Sequence, residues 1–140
     1  MLTYIDEHPD EPIRFVGHSH GGNIGILLAN MLHSDGIKTE TLITIATPVR
    51  NEYQLKNGAV NQHINVYNDG DNTQLLGGSS FLLIGAKRTF KGATNIKVPT
   101  ANKFFGYPSP MPFAAFGDNH SYMHNNIALW NAYIAPQINR

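Results

Sequence analysis

The chain has no cysteine, which excludes disulfides and thiolate metal sites but leaves the compartment open, since many secreted proteins lack cysteine too. It has no basic run. Ten Lys+Arg balance ten Asp+Glu over 140 residues, so there is no electrostatic footprint for nucleic acid or an anionic membrane surface. No apolar run approaches the ~18 residues needed to cross a bilayer. The opening MLTYIDEHPDE carries acids where a signal peptide needs a basic segment and an apolar core, so the sequence reads as soluble. Charge itself is scarce, 14% of residues against about 25% in ordinary domains. That scarcity points to surface covered by something else.

What is present is an alternation of short apolar runs and helix-length connections. LTYID (2–6) reads as a helical turn ended by His8-Pro9, because the residue before proline disfavours helix. IRFV (13–16), TLITIA (41–46), HINVY (63–67) and IKV (96–98) read as strands, the second β-branched enough to be buried on both faces of a parallel sheet. Ile24, Leu27, Leu28, Met31 and Leu32 recur at helical spacing and stop before Gly36. Residues 122–134 return to that spacing, whereas 99–118 are rich in proline and aromatics (Phe104, Phe105, Tyr107, Phe113, Phe116) and read as a packed loop. The expectation is one α/β domain over residues 1–140, with a mostly parallel sheet and flanking helices.

Parallel sheets place chemistry at the carboxyl ends of their strands, and FVGHSHGGN (15–23) stands at such an end. Gly17 and Gly21 flank Ser19 in a G-x-S-x-G pattern, a tight strand-to-helix turn that pushes the serine hydroxyl clear of the backbone. The helix that follows aims its unpaired N–H groups at the same spot. Serine needs a base within hydrogen-bond reach and a third group to orient that base. Asp69 and Asp71 follow the third strand, and His120 and His124 lie in the late NHSYMHN. His120 is preferred because it stands on the loop side of that segment, and Asp71 because Gly70 gives it a sharp turn. Asp69 and His124 are the alternatives. His8, His33 and His63 have no partner by spacing and read as surface or edge residues.

Together, FVGHSHGGN, TLITIATPV, INVYNDGDNTQLLGG and NHSYMHN resemble successive landmarks of the α/β-hydrolase fold in its lipase and esterase-like branch. The resemblance implies Ser19 as nucleophile, Asp71 as orienting acid, His120 as general base and the His20 N–H as one oxyanion donor. It implies a small-molecule or lipid ester as substrate and no cofactor. In that family several strands precede the serine turn and supply the second oxyanion donor. About a dozen residues precede the first strand here. The chain therefore corresponds to the carboxyl-terminal half, with the sheet completed by a missing amino-terminal half or by a second copy in a homo-oligomer. Turnover by this chain alone is expected to be weak or absent.

Two other readings compete. His18 and His20 form an H-x-H pair that could hold a metal with Asp69 or Asp71, His120 and His124, although the places where a metallo-hydrolase motif continues hold Gly22 and Asn23. A non-catalytic hydrolase fold, kept for binding or dimerisation, is the other.

Overall fold

A computed structural model describes residues 2–77, 86–101 and 118–138. A short helix α1 (Leu2–Glu7) stops before His8-Pro9 and leads into strand β1 (Arg14–His18). Helix α2 (His20–Ser34) returns the chain to strand β2 (Thr39–Ile45). Its end is a left-handed glycine stop: Gly36 has φ +76°, its N–H reaches the His33 carbonyl, and the Ile37 N–H reaches that of Leu32 at 2.8 Å. Strand β3 (Val60–Tyr67), helix α3 (Asn72–Leu76) and strand β4 (Thr94–Lys97) follow. The four strands are parallel and lie in chain order, β1-β2-β3-β4. The α/β fold with a parallel sheet and flanking helices is therefore as the sequence implies.

The register puts His18 beside Ile45 and Ile45 beside Val66, so the strands end together on one rim. Side-chain alternation then divides the core. Leu42 packs with Ile26 of α2 and with Phe90 on one face. Ile43, Ile45, Ile64 and Val66 face the other way, against Met123, Leu129 and Ile134. Those three come from the carboxyl-terminal helices: α4 (Asp118–Asn125), α5 (Ile127–Leu129), a π-helical turn (Trp130–Ile134) and α6 (Ala135–Ile138). The single helix expected from spacing over 122–134 is thus broken at Asn126, whose Oδ1 accepts from the N–H groups of Ala128 and Leu129 and begins a new helix. The aromatic loop read over 99–118 lies, from 102 to 117, outside the described residues.

Two expectations are corrected. Helix α2 lies on the sheet through Gly22, Gly25, Ile26, Ala29 and Leu32. Of the five residues whose spacing marks the helix as amphipathic, Leu32 is buried, but Ile24, Leu27 and Met31 are 57%, 42% and 64% exposed. The reason is closeness: a Cβ on Gly25 would come within 2.9 Å of the Leu42 side chain, so small residues face the sheet and large ones turn outward. Val16 on edge strand β1 is also exposed. His63, read as a surface or edge residue, is buried. Its Nε2 bonds the Thr44 hydroxyl at 3.1 Å and its ring rests on Phe90, and burial pushes its pKa down to about 4.

Candidate functional site

At the rim, β1 turns into α2 through Ser19, whose φ of 54° and ψ of −129° lie where residues other than glycine are rarely found. Its N–H is tied to the Ile45 carbonyl at 2.8 Å. The turn is tight enough that a Cβ on Gly17 would come within 2.5 Å of the Gly21 backbone, and one on Gly22 would overlap Thr47. Nothing would meet a Cβ on Gly21. The steric demand for bare backbone therefore falls on Gly17 and Gly22 rather than on both residues flanking the serine. His20 is the first residue of α2, so its N–H belongs to the opening turn that has no acceptor within the helix.

Across the rim, the loop after β3 carries Asp71, fully buried. One carboxylate oxygen accepts from the Gln74 N–H at 2.8 Å and caps α3. The other lies 2.8 Å from Nδ1 of His120, whose side chain is 13% exposed. A carboxylate accepts in this contact and Nδ1 donates; in the neutral tautomer that this bond selects, the lone pair is on Nε2.

The loop and α4 are locked together. Asn68 Nδ2 donates to the Asn119 carbonyl, and Asn119 Oδ1 accepts from the Ala101 N–H at 2.7 Å. A Cβ on Gly70 would collide with the Asn119 amide at 2.7 Å. Arg88 donates from Nη2 to the Asp71 carbonyl. None of these supports is announced by the sequence. Only the run of asparagines around each acid and histidine hints that local backbone is being tied down.

The other candidates lie elsewhere. Asp69 is exposed and paired with Lys97. His124 has its ring against His18, centroids 4.0 Å apart, and its buried Nδ1 has no hydrogen-bond partner. The H-x-H pair does not converge. His18 Nε2 lies 3.0 Å from the His120 carbonyl, and exposed His20 meets the Arg50 guanidinium at 3.3 Å. The two rings thus engage different partners, a main-chain carbonyl for His18 and a guanidinium for His20. Among the described residues no group of three or more His, Cys, Asp or Glu could hold a metal ion. A groove of about 570 Å³ lined by Ile5, Pro9, Ile13, Lys38 and Asn61 opens at the amino-terminal ends of the strands, away from Ser19.

The family profile of lipase (class 3) matches residues 1–72. The chain belongs to the class 3 lipase family. The match runs from α1 through the turn at Ser19 to Asp71 and stops before His120. The carboxyl-terminal side of the candidate site thus rests on geometry. No curated protein and no solved structure matches the chain. Lipase-like hydrolysis is what membership of the family supports, and no helix among the described residues is long and apolar enough to cross a membrane.

Proposed function

We propose that the chain hydrolyses carboxylic esters, small or lipid, by a Ser-His-Asp mechanism with Ser19 as nucleophile, His120 as general base and Asp71 as the acid that orients it. The contact of Asp71 with His120, on the rim where Ser19 stands, carries this reading. Ser19 attacks the ester carbonyl as Nε2 of His120 takes its proton, and buried Asp71 stabilises the imidazolium through Nδ1. The developing oxyanion is met by the His20 N–H at the positive end of α2. His120 then protonates the leaving alcohol, and water, deprotonated by the same ring, releases the acid from Ser19. The strained turn at Ser19 serves as the nucleophile elbow of this scheme. No metal or other cofactor takes part.

Strand β1 is an edge of the sheet among the described residues, and the exposure of its Val16 and of Ile24, Leu27 and Met31 on α2 supports a second element of the proposal. Residues 1–140 form one partial domain, equivalent to the carboxyl-terminal half of a larger hydrolase. Further strands, from an amino-terminal half or from a second copy, continue the sheet beyond β1 and bring the second oxyanion donor. An isolated chain lacking that donor turns over about 10²–10³-fold more slowly.

Hydrolysis of a chromogenic short-chain ester tests the reading. Turnover lost in both Ser19→Ala and His120→Ala is expected. Turnover undiminished in either variant would refute it.

A further inference from the structure

Three imidazoles gather behind the serine turn, and the mechanism uses one of them. The His18 ring sits with its centroid 4.7 Å from that of His120 and 4.0 Å from that of His124. Its Nε2 lies 3.0 Å from the main-chain oxygen of His120, 102 positions away in sequence. A carbonyl only accepts, so His18 must be the donor and carries its proton on Nε2. The carbonyl oxygen has a second lone pair, so this bond does not compete with the helical one.

His18 directly precedes Ser19, and its acceptor belongs to the residue whose ring is the base. One hydrogen bond therefore joins the residue next to the nucleophile to the main chain of the base. His124 adds packing from the next turn of α4, and its buried Nδ1 makes no hydrogen bond. We propose that His18 is a positioning residue: its Nε2–H, donated to the His120 carbonyl, holds the first turn of α4 at the distance from Ser19 that proton transfer requires. The inference rests on the catalytic roles proposed above for Ser19 and His120.

Charge favours the same assignment. Burial holds the His18 pKa below its ordinary value; the bond to the His120 carbonyl and the Asp71 carboxylate push the other way, and the neighbouring His120 and His124 rings reinforce burial. His18 thus stays neutral at neutral pH and sets no second positive charge beside His120 when that ring takes the serine proton.

Two variants of the full chain test the proposal. His18→Leu removes the donor and keeps the bulk, while His18→Gln can place an amide N–H where the ring N–H was. Nitrogen-15 NMR of the imidazoles at neutral pH is expected to show wild-type His18 protonated on Nε2 alone. With a chromogenic ester, kcat is expected to fall about 10- to 100-fold in His18→Leu with KM within about twofold, the size of effect a misplaced catalytic group produces. In His18→Gln most of kcat is expected to return. A His18 protonated on Nδ1, an unchanged kcat in His18→Leu, or a His18→Gln no better than His18→Leu would each overturn it.

Ser19→Ala, assayed alongside, separates the two readings, because turnover that survives it refutes the nucleophile and leaves the His18 tautomer as measured. If no form turns over, the low-field Nδ1–H resonance of His120, bonded to Asp71, decides. Broadening in His18→Leu and recovery in His18→Gln support the positioning role, and an identical resonance in all three forms ends it.

Discussion

Asp71 holds Nδ1 of His120 at 2.8 Å with one carboxylate oxygen while the other caps α3 through the Gln74 N–H at the same distance. One buried side chain thus shapes the loop after β3 and orients the imidazole. The two duties can be separated by chemistry. In Asp71→Asn the amide oxygen can keep the cap, but the amide nitrogen then faces Nδ1 as a second donor and favours the wrong tautomer. Thermal stability is expected to stay near wild type while kcat falls by about 10⁴-fold. Asp71→Ala is expected to lose, in addition, about 1 kcal/mol of stability for the missing cap. Thermal melts and ester kinetics on both variants check this, and an Asp71→Asn with wild-type kcat would remove Asp71 from the mechanism.

The two glycines that follow the turn should part company. A Cβ on Gly22 overlaps the Thr47 side chain, while one on Gly21 meets nothing within 4 Å. Gly22→Ala is expected to cost about 2–3 kcal/mol by overpacking. Gly21→Ala, inside α2, is expected to be neutral or to stabilise by up to about 1 kcal/mol. Chemical denaturation of the pair measures the difference.

His63 predicts how stability changes with pH. Its folded pKa is depressed to about 4, while in the unfolded chain it titrates near 6.5. Between those values the unfolded state binds the extra proton, so stability is complete above about pH 6.5 and declines as pH falls toward 4. The full loss from this residue is about 3 kcal/mol. Denaturation midpoints across pH 4–7 should show this slope, and His63→Gln, which keeps a donor near Thr44, should flatten it.

The outward stripe of α2 yields a prediction about solution state. Lysine at Ile24 and Met31 together is expected to leave folding stability within about 1 kcal/mol, because both side chains are exposed. Where a second copy covers this face, the same change is expected to shift the chain to monomer in sedimentation velocity. A large loss of stability would mean that these side chains are packed within the chain itself.

What the sequence made legible follows from which physical signals are local. β-branched runs bounded by turn residues located the strands, and the glycines around Ser19 marked the strained turn because few other residues fit there. The preference for Asp71 over Asp69 came from Gly70, and the structure puts Asp71, not Asp69, against His120. Helix α2 misled because spacing reports that a helix is amphipathic but not which face a sheet will take. Close approach selected Gly22, Gly25 and Ala29 and turned Ile24, Leu27 and Met31 outward. His63 was invisible for a related reason: its partners Thr44 and Phe90 come from distant segments. The tie from His18 to the His120 carbonyl spans 102 positions, a separation at which a single sequence carries no pairing signal.

Activation of Ser19 by His120 is the central step of the proposed mechanism. Reaction of the folded chain with a fluorophosphonate, followed by peptide mass spectrometry, reads that activation at the residue concerned without needing a particular ester. The expected result is an adduct on the peptide containing Ser19 that disappears in His120→Ala. A folded chain that leaves Ser19 unmodified, or an adduct that forms as fast in His120→Ala, would contradict it.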